Sequence, residues 1–307
     1  MIELSAQARI LWGKTCANSM DEQRGEWLPL YMHMHDSARV GLYLWREWLP
    51  VAEQRLIVDA IGGNDAVAEA LVVWLAGIHD IGKATPNFQR KAPERAEAVR
   101  SMGLDVPPPQ MKHGKSHPHA FMGEIILDEW LSGRGWEHPS TYASVVGGHH
   151  GAPPTSEGEL RNIELSSCNF PNEVLGDDGW RLVQNELLDW MSAYSGMEAC
   201  EMKLRPCGLF RPIEVLLTGL VIMADWIASN ADFFPLSDGL VEMDELCARA
   251  DLAWEKLALP PTWHPTEFAF ALKDGVERLF HERFVSLPED ARLRPAQEAA
   301  VKAALHM

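Results

Sequence analysis

Residues 77–89 read GIHDIGKATPNFQ, and the histidine and aspartate at positions 79 and 80 decide how the rest of the chain is read. The apolar run EALVVWLA at 69–76 leads straight into the pair. Its spacing predicts a helix, capped at its start by Asp65 and broken by Gly82 and Pro86. His79 and Asp80 then stand together at a helix end, one nitrogen and one hard oxygen for a divalent metal. Lys83, three residues past the aspartate, adds a cation suited to a phosphate.

Working outward, helical signals dominate and no long alternating strand pattern is present. Helices are expected over 35–49, 120–131 and from about 141 into the doublet His149-His150, where Gly151, Pro153 and Pro154 stop the last of them. The stretch 213–229 is the most apolar and is expected to be central. Weaker amphipathic helices follow Pro235, and 151–178 reads as a long loop of the kind that is functional or mobile. The expected fold class is all-α, built on one core.

With 307 residues, 47% hydrophobic and 23% charged, the chain can bury a sizeable core and is not a disordered tail. Thirteen Met and twelve Trp point to large, irregular apolar contacts rather than an idealised bundle. The five cysteines (16, 168, 200, 207 and 247) have no CxxC spacing and read as reduced thiols of a cytosolic protein. Neither a secretory signal nor a membrane span is legible. The formal charge of −17 is an obstacle to nucleic-acid binding, which draws its affinity from Lys and Arg. One basic island relieves it, with Lys83, Arg90, Lys91, Arg95, Arg100, Lys112 and Lys115 against Glu94, Glu97 and Asp105. Judged alone, such an island is a solvated helix face; its start at the candidate metal motif is what suggests more.

Nine of the twelve histidines fall between His33 and His150. His149-His150, at a Gly/Pro-terminated helix end, can face one ion or bridge two. Asp225 sits among apolar neighbours in LLTGLVIMADWIASN, and a buried carboxylate must meet a cation or several donors. His33 and His35 compete for one role, with Asp36 placed to orient a ligating imidazole from behind. His113 and His117 beside His119 read as solvated or substrate-facing, and Phe88 reads as core or as a guide for a nucleic-acid strand.

The order His…His-Asp…His…His-His…Asp resembles the HD superfamily of metal-dependent phosphohydrolases. Within it, the chain resembles the HD nuclease domain of the CRISPR-associated helicase-nuclease of type I systems. The carrying segments are HMHDSARVG (33–41), GIHDIGKATPNFQ (77–89), HPHAFMGEIIL (117–127), VVGGHHGAPP (145–154) and ADWIASN (224–230). The resemblance implies an HD-domain helical bundle with a metal site in its core. It assigns His33, His79, Asp80 and Asp225 to one metal and His119, His149 and His150 to a second, with Asp80 bridging. It makes Asp80 and Lys83 the catalytic residues, Lys83 lying near the scissile phosphate.

The same resemblance implies a metal-dependent single-stranded DNA nuclease in prokaryotic cytoplasm. Its partners would be a helicase domain, in the same polypeptide or as a subunit, and an RNA-guided CRISPR surveillance complex, with no membrane. LRPAQ at 293–297 resembles the adenine-contacting Gln motif that opens such a helicase, yet no GxxxxGK[ST] follows, so ATP would enter only through a helicase part beyond this sequence. The expected organisation is an HD core at 1–235, C-terminal helices packing on it or linking from it at 236–290, and the start of a truncated helicase region at 291–307. Five His and two Asp suit Fe(II), Mn(II), Co(II) or Ni(II) better than Mg(II). The rival readings are an HD enzyme acting on nucleotides or cyclic phosphates, and a non-catalytic, metal-stabilised docking module.

Overall fold

The computed structural model describes residues 3–15, 27–108, 117–151, 160–163, 173–237, 243–260, 275–285, 288 and 290–304. The chain forms two compact units, one of residues 1–49 with 53–259 and one of 50–52 with 260–307. Among the described residues, the first unit is a helical bundle with one two-stranded antiparallel sheet.

Helix α1 (Ala6–Ile10) leads into strand β1 (Trp12–Thr15), which pairs antiparallel with β2 (Trp27–Pro29). Then follow α2 (Leu30–Tyr43), a π-helical turn (Leu44–Trp48), α3 (Val51–Ala60) and α4 (Asp65–Ile78). Beyond the HD pair come a 3₁₀ turn (Ile81–Lys83), α5 (Pro86–Gln89), α6 (Pro93–Ser101), α7 (His119–Gly133) and α8 (Pro139–Gly147). The unit closes with α9 (Asp178–Ser195), α10 (Met197–Leu204), α11 (Arg211–Ala228) and α12 (Met243–Leu257). The second unit contains α13 (Gly275–Arg283) and α14 (Pro295–Ala304), with an ion pair between Arg292 and Glu277. The LRPAQ segment therefore enters a helix at Pro295.

Helix α4 is the axis of the first unit. From Ala70 onward it is apolar and buried all round, Trp74, Leu71, Leu75 and Ile78 being wholly enclosed. Its cap is Asn64, whose side chain accepts from Val67 N–H, rather than the expected Asp65, which opens the first turn. Helix α2 lies against it where Gly41 meets Ala76; a Cβ on Gly41 would stand 2.8 Å from the Ala76 methyl, so the glycine permits the approach. Trp74, Trp180 and Trp190 are among the largest fully buried side chains, and Trp130 packs 5.9 Å from Trp74. Truncating one such tryptophan costs on the order of 3–5 kcal/mol, so these irregular contacts decide the core.

Three expectations shift. The 35–49 helix begins at Leu30, directly after Pro29, which brings His33 onto it. Helix α8 ends at Gly147, so His149-His150 stands in the turn beyond it. Helix α11 is central on one face only, because Val215 and Trp226 point outward and are exposed. Most of 151–178 lies outside the described residues, as do Cys16, Cys168, Lys112, His113, Lys115, His264 and His306. Cys200, Cys207 and Cys247 are free, and among the described residues no helix is long and apolar enough to cross a membrane.

Glu124 on α7 is buried, and burial, with Asp128 and Glu214 nearby, raises its carboxyl from an ordinary 4.5 to about 7. A folded value above the unfolded one means that this group's contribution is lost as pH rises through that window. The melting temperature of metal-free Glu124→Gln, relative to wild type, should therefore climb between about pH 5 and pH 8. A difference that stays flat across that range would contradict the buried, proton-holding carboxyl.

Candidate metal centre

Five separate stretches converge at the end of α4. Helix α2 delivers His33, and the C-terminus of α4 delivers His79 and, one residue on, Asp80. Lys83 closes the 3₁₀ turn, and His119 opens α7. The turn after α8 supplies His149 and His150, and the last turn of α11 supplies Asp225. Their donor atoms form two groups, His33, His79, Asp80 and Asp225 in one and His119, His149 and His150 in the other, each with its atoms within 4.8 Å of one another.

Asp80 touches both groups through different oxygens. Its Oδ2 lies 3.0 Å from His33 Nε2 and 3.4 Å from His79 Nε2. Its Oδ1 lies 3.1 Å from His119 Nε2 and 3.7 Å from His149 Nε2. Asp225 Oδ1 completes the first group at 3.4 Å from both His33 and His79. His150 Nε2 stands 3.1 Å from His119 Nε2.

The chemistry of the donor set fits divalent cations. The Nε2 atoms of His33, His79 and His149 are buried, yet among the described residues none makes a hydrogen bond, although carboxylate oxygens lie close by. Orphaned buried nitrogens that converge on carboxylates are costly unless an ion joins them. The opposite ring nitrogens of His79 and His149 are tied 2.7 Å from the carbonyls of Ala76 and Val146, which fixes each tautomer with Nε2 free to ligate.

Charge tells the same story. Burial and then His79 push His149 down to about 3, and burial, with Lys14, lowers His33, so both are neutral, as ligands must be. His79 goes the other way. Burial opposes its charge, but Asp80 and Asp225 together hold it protonated up to about 10. Asp80 is held well below the usual carboxylate range despite its burial, chiefly by Lys83 and His79.

Burial falls off across the centre. His33, His79, Asp80 and His149 are enclosed, His119 and Asp225 are partly open, and His150 is exposed. The second group thus faces outward, the side from which a substrate could approach. The spacing of the two groups rests on backbone contact. A Cβ on Gly82 would sit 1.9 Å from the His119 carbonyl oxygen, and Gly123 packs onto Gly82 from α7.

Several open alternatives are decided, and the orienting role expected of Asp36 is corrected. His35 does not join the centre; its Nε2 points to Cys247 Sγ, 3.7 Å away on α12. Asp36 orients no imidazole; fully buried, it accepts from Arg249 Nε at 3.2 Å. Phe88 is core, its ring 4.4 Å from that of Trp12 and tilted by 33°. Much of the basic island is engaged within the fold. Arg90 donates to Asn87 and the Glu173 carbonyl, Arg95 lies over Trp27, and Arg100 pairs with Glu97. Two features went unseen in the sequence, the exposed Trp226 beside Asp225 and the β1 strand passing over the centre. Trp226 lies within ADWIASN, where its exposure is not legible, and β1 carries no motif.

A helical bundle that closes two histidine clusters around one shared aspartate is an HD-type domain. The chain belongs to the Cas3 HD-domain family, whose model, described as "Cas3, HD domain", matches residues 12–234. It is 27% identical over 92% of its length to the CRISPR-associated nuclease/helicase Cas3 of Streptococcus thermophilus, covering 31% of that protein. It is 29% identical over 90% of its length to the CRISPR-associated endonuclease/helicase Cas3 of Thermus thermophilus, covering 28% of it. The chain thus spans less than a third of either curated relative. Among solved structures, the Thermus thermophilus Cas3 HD domain determined in the presence of Ni2+ has the same fold, with a TM-score of 0.56 at 24% identity, over 83% of this chain and 93% of that one.

Added Ni(II) or Mn(II) should raise the melting temperature by roughly 5–10 °C at about a hundredfold excess over Kd. Asp80→Asn should lose most of that shift. His150→Ala should lose about one equivalent of metal by elemental analysis and keep the enclosed group loaded. Equal metal content in all three proteins would contradict the shared-carboxylate geometry.

Proposed function

We propose that this domain is a metal-dependent nuclease that hydrolyses phosphodiester bonds of single-stranded DNA in CRISPR interference. The observation that carries the reading is Asp80, with one oxygen turned to each histidine group. Two ions are accordingly proposed, held by His33, His79, Asp80 and Asp225 and by Asp80, His119, His149 and His150. Bound there, they would supply an activated water and neutralise charge on the phosphate. The nitrogen-rich set favours Fe(II), Mn(II), Co(II) or Ni(II) over Mg(II), in keeping with the Ni2+ named for the Thermus thermophilus domain.

The chain's own residues prepare that chemistry. Lys83 Nζ lies 2.6 Å from Asp80 Oδ2 and donates to the Gly13 carbonyl at 3.1 Å, so it keeps the shared carboxylate ionised and aimed. An ammonium has a third donor, which suits a phosphate oxygen and the charge that builds on it. The exposure of His150 supports an approach of the phosphate from the open side. Trp226, 72% exposed and next in sequence to Asp225, offers a face on which a base of a single strand can stack, the part once open to Phe88.

A strand delivered by a partner need not be gripped by charge, and this reconciles the function with a formal charge of −17. The relatives are named nuclease/helicase, so we propose a helicase, in the same polypeptide or as a separate subunit, and an RNA-guided surveillance complex as the delivering partners. ATP would act only through that helicase.

The metal-reconstituted domain should nick circular single-stranded DNA weakly, and chelator or Asp80→Ala should abolish the activity. Lys83→Met should lower kcat by about 10²-fold at saturating metal. On a substrate panel, hydrolysis of free nucleotides or cyclic phosphates with single-stranded DNA left intact would favour the phosphohydrolase reading. A folded protein that holds its ions and cuts nothing would favour the docking module.

Trp226→Ala should raise KM for a single strand about tenfold, as expected for one lost stacking contact, with kcat and metal content unchanged. An unaltered KM would remove the stacking face from the picture.

A further inference from the structure

Two consecutive residues of strand β1, Gly13 and Lys14, each reach one of the two carboxylates of the centre through a single intermediary. On one side the Gly13 carbonyl accepts from Lys83 Nζ at 3.1 Å, and Lys83 lies 2.6 Å from Asp80 Oδ2. On the other, Lys14 Nζ donates to Ser229 Oγ at 2.6 Å and to the Ala228 carbonyl at 3.3 Å. Ser229 Oγ in turn donates to Asp225 Oδ1 at 2.7 Å, the same oxygen that faces His33 and His79.

Gly13 acts through its main-chain carbonyl and Lys14 through its side chain, and the strand is distorted between Trp12 and Lys14. Its register with β2 shifts between Trp12 and Lys14, a bulge at Gly13 of the kind that re-aims a side chain. A Cβ at Gly13 would stand 3.1 Å from the Leu30 Cα, so the bulge is also pressed closely onto the start of α2. The strand is fastened in place by Gln89. Its side-chain oxygen accepts from Trp12 N–H at 3.2 Å, and its amide donates to the Trp12 and Lys83 carbonyls at 2.9 Å each.

We infer that β1 is a clamp that positions both carboxylates, with Lys14 acting on Asp225 through Ser229 as Gly13 acts on Asp80 through Lys83. Lys14 is a positioning residue, and the inference rests on reading His33, His79, Asp80 and Asp225 as the holders of a divalent ion. Its sign separates it from a plain charge effect. A lysine near a cation site repels the cation, so removal of mere charge tightens metal binding, whereas loss of a clamp weakens it.

The test is Co(II) titration of the whole chain, following Kd and the d–d absorption bands, for wild type, Lys14→Met, Ser229→Ala and the double variant. Each single variant should bind roughly 10–100-fold more weakly with altered bands, the range expected when a group behind a metal ligand is lost. The double variant should be no weaker than the weaker single one, because both changes cut the same relay. Ser229→Thr, which keeps the hydroxyl, should restore affinity. Ser229 is exposed at a helix end, so its variants carry the test if Lys14→Met fails to fold. Lys14→Met binding as tightly as wild type or more tightly, or fully additive losses in the double variant, would overturn the clamp alone. A wild-type chain that takes up no Co(II) would overturn the metal-site reading and the clamp with it.

Discussion

One buried carboxylate, Asp80, sets the terms for everything around it. A carboxylate this deep in a bundle is expensive unless positive charge meets it, and here it is approached from two sides. Lys83 and His79 from its own stretch surround it, together with three imidazoles, His33, His119 and His149, brought from other helices and turns. The apolar length of α4 is what drives the residue so far in, since the helix must be buried and its last turn goes with it. The hydrophobic effect thus places a polar group where only strong electrostatics can keep it.

The enclosed and open halves of the centre divide the work of holding and exposing. His33, His79 and His149 have no contact with solvent to speak of, so their protonation is governed by neighbours rather than by water. His150 lies on the surface, and Trp226 is exposed on the outer face of α11. A centre with this polarity is anchored at its base and open at its rim. Its surroundings contribute little free positive charge, because Arg90, Arg95 and Arg100 are spent on internal contacts.

Much of this was legible in the sequence because the donor residues come as short motifs at helix ends. The pairs His79-Asp80 and His149-His150 announce themselves by adjacency, and Asp225 by its apolar setting. The helical class follows from periodicity alone. What was hidden depends on tertiary contacts. Nothing local distinguishes His33 from His35, which stand two residues apart on α2 and so face different neighbours, one the centre and the other Cys247. Asp36 looked like a helper of the site until Arg249, more than two hundred residues away, claimed it. The short, bulged β1 strand is too brief to show alternation, and Trp226 reads as core in an apolar run until the outer face of α11 is seen.

The near-contact of Gly82 with the His119 carbonyl has a consequence of its own. The offset between the two histidine groups is gauged by main chain against main chain, a length that side-chain rotation cannot stretch. The centre is unyielding in how far apart its halves stand, a constraint built from a missing methyl group.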